Sequence, residues 1–253
     1  MKIIKRAFSK LIRLAYPFGR GRMILFGPLI GWRFVVERGH GFTYALGLGF
    51  NFLFFGRHIR KGMVIYDIGS NRGQMALFFS RKIGVSGIVH AFEPAPVPFE
   101  SLKRNCVLNS LSNVRLWQAV VSNMNGEESF TFFEDRPTEG RPERLASKNQ
   151  AAVGKAFRVT CLTLDSLVQR GERKPDVLKI DVEGSAAAVL EGARNILETT
   201  KPGIYIELHN AEEQRAVRDE LQSRGYQLQT MDGRKVVDPT TGWSSPLWCW
   251  FEK

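Results

Sequence analysis

The sequence contains few cysteines and no long apolar run. Its three cysteines, Cys106, Cys161 and Cys249, are too few and too scattered in 253 residues for a disulfide scaffold or a zinc cluster. The longest uncharged apolar stretch, residues 41–56, has about 16 residues, short of the roughly 20 that a transmembrane helix needs. The N-terminus also lacks the apolar segment and small-residue cleavage site of a secretory signal. We therefore expect a cytoplasmic protein.

Acidic residues are nearly absent from the first quarter of the chain. Residues 1–62 hold 12 Lys or Arg and a single acid, Glu37, which leaves 24 basic and 24 acidic residues in 63–253. The whole formal charge of +11 therefore belongs to residues 1–62. Because the rest of the chain is charge-balanced, the basic composition does not indicate a nucleic-acid partner for it.

Residues 1–62 are predicted to form a basic N-terminal extension. In residues 1–15, apolar side chains recur at helical spacing opposite Lys and Arg, which predicts an amphipathic helix. Such a helix can dock on its own domain or on a partner, lie on an anionic membrane surface or contact nucleic acid, and the pattern does not decide between them. Residues 33–55 are aromatic and β-prone around a glycine-containing turn at 38–41, which predicts a β-hairpin.

Residues 63–253 show alternating strand and helix patterns and are predicted to form one domain. This alternation predicts an α/β fold with a mostly parallel sheet and helices on both faces. We expect an antiparallel edge strand from the last two strands, a hairpin turn at Asn125-Gly126 leading into 129–133, and a disordered segment or lid at 134–156. The predicted strands are 63–68, 88–92, 114–121, 157–162, 177–180, 204–208, 226–230 and 247–251. The predicted helices are 74–81, 97–109, 164–169, 186–197 and 211–224.

The first βαβ unit carries the pattern of a nucleoside site. Its first strand runs into Asp67 and a loop with Gly69 and Gly73, whose glycines allow close approach of a ligand ahead of a helix N-terminus. The next strand ends at Glu93, where an acid can accept both hydroxyls of a ribose. The G-x-x-x-G spacing differs from the G-x-G-x-x-G of dinucleotide sites.

An ordered series of motifs resembles the FkbM-type methyltransferases. The resemblance is carried by residues 64–73, 92–96, 163–167, 178–184 and 189–193. It implies a Rossmann-like class I methyltransferase fold with a seven-stranded sheet. It also implies S-adenosylmethionine as cofactor and O-methylation of a hydroxyl on a saccharide, glycolipid or secondary metabolite. One departure stands at Ala186, where the family usually has an acid two places after the glycine of its Val-Glu-Gly segment.

The resemblance also suggests which residues hold the cofactor. Asp67, Gly69, Ser70, Asn71 and Gly73 would hold its methionine end, and the ribose would bind to Glu93. Residues from Ala119 onward would flank the adenine, and Asp181 would complete the site.

Later strands deliver more polar residues to the same edge. Asp181 and Glu183 follow one strand, and Glu207 and His209 end the next, so each pair can share a face. A base must take the hydroxyl proton during methyl transfer. His209, with a reference pKa of ~6.5, and Asp181 are the candidates, with Glu207 beside them. These groups could instead hold a divalent cation, although we expect no metal. We expect Lys179 to form a structural ion pair with the carboxylates.

Two other functions stay open on the sequence. A non-catalytic membrane-peripheral or assembly protein is suggested by the basic N-terminus, but the site residues are intact. A nucleic-acid methyltransferase is disfavoured because the body is charge-balanced and lacks an N/D-P-P-Y/F motif. The expected partners are a small-molecule, saccharide or lipid-linked acceptor and, through residues 1–15, an anionic membrane surface.

Overall fold

The computed structural model describes residues 19–35, 52–132, 140–142, 155–231, 233 and 246–251. The predicted helix at 1–15, the turn at 38–41 and most of 134–156 lie outside these residues. The strands are β1 (Gly21–Met23), β2 (Arg33–Val35), β3 (Val64–Ile68), β4 (Ile88–Phe92), β5 (Val114–Trp117), β6 (Ala119–Val121), β7 (Gly126–Phe132), β8 (Gly140–Pro142), β9 (Lys155–Leu162), β10 (Val177–Asp181), β11 (Gly203–Glu207), β12 (Tyr226–Thr230) and β13 (Leu247–Phe251). The helices are α1 (Phe52–His58), α2 (Gln74–Ile83), α3 (Pro96–Leu108), α4 (Leu164–Gln169), α5 (Ala186–Glu191), α6 (Arg194–Thr199) and α7 (Ala211–Ser223).

The central sheet has seven strands over the described residues, in the order β12-β13-β11-β10-β3-β4-β5. The strands from β11 to β5 are all parallel to one another. The apolar runs of β3, β4, β10 and β11 are buried on both faces, as expected of a parallel sheet covered by helices, whereas the edge strand β5 is only half-buried. The predicted mostly parallel sheet is confirmed. The antiparallel strand is β13, which lies one position inside the edge because β12 pairs along its outer side.

Helices cover both faces of this sheet. On one face, apolar residues of α4, α5, α6 and α7 pack with Tyr66 and Ile68. On the other, α1, α2 and α3 pack with Ile65 and Val89. Alternate residues of one strand therefore contribute to two hydrophobic clusters, as the pleat of a strand requires. Among the helices within the described ranges, none is long and apolar enough to cross a membrane.

A second, smaller sheet has the order β6-β9-β7-β8 and corrects two predictions. The predicted strand 114–121 is divided between the two sheets, since β5 pairs with β4 and β6 pairs in parallel with β9. The predicted hairpin at Asn125-Gly126 is wrong because β9 lies between β6 and β7. The side chain of Asn125 instead accepts hydrogen bonds from Thr163 N (3.0 Å) and Ser166 Oγ (2.8 Å), which ties this turn to the start of α4.

The predicted helix 186–197 is also divided, into α5 and α6. A Cβ at Gly192 would lie 1.9 Å from the carbonyl oxygen of Ser122, so this position requires glycine where two segments meet. The side chain of Asp165 then accepts the N–H groups of Asn195 and Ile196 at the start of α6, both at 2.9 Å. These bonds satisfy donors that a helix N-terminus leaves open.

The N-terminal segment packs against the domain. Strand β2 pairs antiparallel with β1. The second strand of the predicted hairpin, residues 42–46, lies outside the described residues. The end of the stretch predicted to be β is helical. The buried side chains of α1, Phe52 and Phe55, are three residues apart, which places both on the core side of a helix. Ile24, Leu29 and Phe34 join the same hydrophobic cluster as α2 and α3. The domain boundary at residue 62 stays a prediction.

Candidate functional site

A cavity of about 340 Å³ opens at the carboxyl ends of the central strands. It lies where the chain order reverses, with β4 on one side of β3 and β10 on the other. Open α/β sheets bind ligands at such a switch point. The wall is formed by the loop after β3, the ends of β4, β10 and β11, strand β6 and Phe130 of β7.

The loop after β3 requires glycine where it crosses the end of β10. Gly69 has a φ of +76°, and a Cβ there would lie 1.9 Å from the carbonyl oxygen of Asp181. The Ser70 hydroxyl donates to the Asp67 carbonyl at 2.7 Å, which holds the turn. Gly73 has another role, because its missing Cβ makes room for Leu102 of α3, 2.4 Å from the position of that Cβ. The conformation of the loop is therefore set by its close contact with the end of β10 at Gly69 and by the packing of α3 at Gly73.

Glu93 at the end of β4 is a buried carboxyl on the cavity wall. Its Oε2 accepts the N–H of Asn71 and its Oε1 accepts the N–H of Ala95, each at 2.9 Å. Burial raises the pKa of Glu93 to about 7, although the two N–H donors act in the opposite direction. Each carboxylate oxygen retains capacity for a further hydrogen bond, so Glu93 can still accept ligand hydroxyls.

Lys179 is the buried cation of the site. Its Nζ lies 2.9 Å from the carbonyl oxygen of Gly69, 3.4 Å from Asp67 Oδ1 and 3.3 Å from Asp181 Oδ2. Burial alone would lower the pKa of this ammonium group, but Asp181, Asp67 and Glu207 outweigh it and raise the pKa. Burial also raises the pKa of Asp67. Lys179 thus forms the predicted ion pairs and ties the glycine loop to β10.

A carboxylate and imidazole cluster faces the cavity from β10 and β11. His209 Nε2 lies 3.8 Å from Asp181 Oδ1 and 3.6 Å from Glu183 Oε2. The hydroxyl of Tyr205 donates to Glu207 at 2.8 Å. Burial, with the nearby Asp181, raises the pKa of Glu207. In the part of the chain that the structure covers, no group of three or more His, Cys, Asp or Glu is arranged to hold a metal ion.

Glu213 of α7 holds the backbone beneath this cluster. Its Oε2 accepts the N–H of His209 and its Oε1 accepts the N–H of Ala186, both at 2.8 Å. Asn210 caps the same helix by accepting the N–H of Glu213 at 2.8 Å. The family usually has an acid at the position of Ala186. Here the backbone N–H of Ala186 is bound by the carboxylate of Glu213 from α7. Glu213 was not predicted as a site residue, although the spacing Asn210-x-x-Glu213 is a helix-start signal.

A known family matches the part of the chain that forms this site. The family model described as a methyltransferase FkbM domain matches residues 67–228, more than half of the chain. This chain belongs to the FkbM methyltransferase family.

Relatives and a solved structure agree with this assignment. The chain is 31% identical to the 31-O-demethyl-FK506 methyltransferase FkbM of Streptomyces tacrolimicus over 55% of this chain and 63% of that protein. It is 32% identical to the hexuronic acid methyltransferase AglP of Haloferax volcanii over 58% of this chain and 56% of that protein. The match thus spans less than two thirds of either relative. The structure of an FkbM methyltransferase from Methylobacillus flagellatus has a TM-score of 0.50 and 18% identity, covering 74% of this chain and 43% of that one. The predicted class I methyltransferase fold is confirmed.

Most of the predicted site residues of this FkbM domain line one cavity. They are Gly69, Ser70, Asn71, Glu93, Ala119, Asp181, Glu207 and His209. Asp67 and Gly73 are not among the residues that form its wall. Asp67 is fully buried and reaches the site through Lys179, and Gly73 faces α3. Phe130 was not predicted, since no local pattern places β7 beside the central sheet.

Proposed function

We propose that this FkbM domain is an S-adenosylmethionine-dependent O-methyltransferase that acts on a neutral hydroxyl of a saccharide, glycolipid or secondary metabolite. One observation carries the proposal: Glu93, a buried carboxyl that would hold a ribose, shares a cavity with the cluster around His209. Membership of the FkbM family and the methyltransferase activities of the two relatives support the same reaction.

The residues of the cavity suit each part of the cofactor. Gly69, Ser70 and Asn71 would face the methionine end, where backbone groups approach a ligand without an intervening side chain. Glu93 would accept the ribose hydroxyls, and the apolar strand β6 would flank the adenine. When bound, S-adenosylmethionine supplies a methyl group on a positively charged sulfur. The two buried oxygens of Asp67 have no hydrogen-bond partner among the residues described, and the negative charge of this carboxylate faces Lys179 Nζ, 3.4 Å from Oδ1.

His209 is placed to accept the proton of the acceptor hydroxyl. Its Nε2 faces the carboxylates of Asp181 and Glu183, which would stabilise the imidazolium that forms. Glu213 fixes the backbone of His209, which lines the cavity. A positioned base of this kind typically contributes about 10²- to 10⁴-fold to a rate. Asp181 is the alternative base, with Glu207 next to it in register.

The charge of this wall favours a hydroxyl over a carboxylate as acceptor. Asp181, Glu183 and Glu207 all line the same side of the cavity. Lys179 is engaged by Asp67, Asp181 and the Gly69 carbonyl. A uronate would therefore meet like charges at this wall, whereas a neutral hydroxyl would meet acceptors for its proton. We accordingly propose a different acceptor from that named for AglP.

A methyl-transfer assay with labelled S-adenosylmethionine tests this function. Neutral glycosides, glycolipid fractions and free uronic acids would be offered to the wild type and to His209→Asn. We expect label on a neutral acceptor, and a fall in kcat of about 10²-fold or more for His209→Asn with little change in KM. Glu100→Gln, an exposed residue of α3, is the control and should match the wild type. Label on uronic acids alone would refute the proposed acceptor, and an unchanged kcat in His209→Asn would exclude His209 as the base and leave Asp181.

A further inference from the structure

The loop between β1 and β2 displays apolar side chains to solvent. Residues 24–32 read Ile-Leu-Phe-Gly-Pro-Leu-Ile-Gly-Trp, with no charged residue. Ile24 and Leu29 are buried in the core, but Phe26 is 61% exposed, Ile30 54% and Leu25 41%. A contiguous set of exposed large apolar side chains commonly marks an interaction surface.

The loop is held in this conformation by specific bonds. Ile24 N donates to the Trp32 carbonyl at 2.6 Å, and Gly31 N donates to the Ile24 carbonyl at 2.9 Å. Arg81 of α2 donates to the Ile30 carbonyl at 2.8 Å and places its guanidinium 5.5 Å from the centre of the Trp32 ring. The outward side chains are therefore presented by an anchored loop whose other side chains are part of the core.

The surroundings of the loop are cationic. Residues 19–35 contain Arg20, Arg22 and Arg33 and no acid, and Arg20 and Arg33 are exposed. Apolar side chains at a tip with Arg at its base match the two layers of an anionic membrane surface, where acyl chains lie beneath negative headgroups. A partner with a neutral or basic surface would gain nothing from these arginines.

We propose that loop 24–32 is a membrane-docking element that inserts Leu25, Phe26 and Ile30 into the interface of an anionic lipid bilayer. Arg20 and Arg33 then contact the headgroups. The proposal does not depend on the methyl-transfer reaction, because it rests only on the exposure and charge of the β1–β2 segment. It also differs from the predicted amphipathic helix at 1–15, which is a separate segment of the chain.

Vesicle co-sedimentation of the full chain tests this proposal. The vesicles are phosphatidylcholine alone, and phosphatidylcholine with phosphatidylglycerol. We expect the wild type to pellet with the anionic vesicles only, and less so as NaCl is raised. The variant Leu25→Ser/Phe26→Ser/Ile30→Ser should bind at least about tenfold more weakly. The control Val85→Ser/Val107→Ser removes two residues that are 91% and 72% exposed elsewhere, and should bind as the wild type does.

Three outcomes would overturn the proposal. The first is a wild type that does not pellet with anionic vesicles. The second is equal pelleting of the triple variant and the wild type, which would assign the membrane contact to another segment. The third is concentration-dependent self-association of the wild type without lipid that the triple variant abolishes, which would assign the loop to a second copy of the chain. Because the replaced side chains are exposed, thermal unfolding should show that the triple variant folds.

Discussion

Glu93 should make the stability of the ligand-free protein depend on pH. Burial raises the pKa of this carboxyl from 4.5 to about 7. Between these values the folded protein holds a proton on Glu93 that the unfolded chain has released. The free energy of unfolding therefore falls as the pH rises through this interval. The favourable contribution is fully present below pH 4.5 and is lost once the pH passes about 7.

The size of this effect follows from the interval. At about 1.4 kcal/mol per pH unit, the change from 4.5 to about 7 amounts to about 3 kcal/mol. The variant Glu93→Gln has no titrating group here. Its amide oxygen can replace only one of the two acceptors for Asn71 N and Ala95 N, which costs about 1–3 kcal/mol at every pH. The informative quantity is therefore the difference in pH dependence between the two proteins.

Urea unfolding at several pH values from 5 to 8 measures this difference. We expect the wild type to lose about 2–3 kcal/mol more than Glu93→Gln over that range. Glu100→Gln, which replaces an exposed carboxylate, should parallel the wild type. Parallel profiles for the wild type and Glu93→Gln would refute the reasoning, because the buried carboxyl would then not be the group that titrates.

Two further predictions concern packing around the site. Asn105 accepts Val35 N at 2.7 Å and donates to the Arg72 carbonyl at 2.8 Å, so Asn105→Ala should lower Tm and weaken S-adenosylhomocysteine binding about tenfold. Asn109→Ala loses the two bonds to the Arg33 backbone and one to the Asn105 carbonyl but none to the loop after β3, so it should lower Tm and leave binding unchanged in a calorimetric titration; equal affinities for both variants would contradict this. Gly192→Ala should lower the urea midpoint by an amount equivalent to about 2 kcal/mol or more, because the added Cβ meets the Ser122 carbonyl oxygen. An unchanged midpoint would show that this contact relaxes freely.

The polar ends of the central strands could be predicted from the sequence. A buried parallel strand needs a mostly apolar run, so the acidic residue at the end of the run marks the carboxyl edge. Glu93 and Asp181 were located in this way and line the cavity. The same rule placed Asp67 at that edge, but it does not show which side chain reaches the cavity. Lys179 lies between Asp67 and Asp181, a contact that depends on the pairing of β3 with β10.

Other features depend on contacts between distant segments. The pairing of β7 with β9 brings Phe130 to the cavity, and no local pattern encodes which strand β7 joins. The division of helix 186–197 depends on the approach of the Ser122 carbonyl to Gly192. The pairing of β1 with β2 likewise joins short strands across a nine-residue apolar loop, and the Gly27-Pro28 turn signal within it does not specify which strands pair. In each case tertiary packing overrides the local preference.

Calorimetric titration with S-adenosylhomocysteine at pH 8 tests most directly whether this cavity is a cofactor site. We predict one site per chain with micromolar affinity for the wild type and for Glu100→Gln. For Glu93→Gln we predict binding at least about tenfold weaker, because an amide cannot accept both ribose hydroxyls as a carboxylate does. The absence of binding by the wild type at high micromolar ligand, or equal affinities for the wild type and Glu93→Gln, would contradict the assignment of the site.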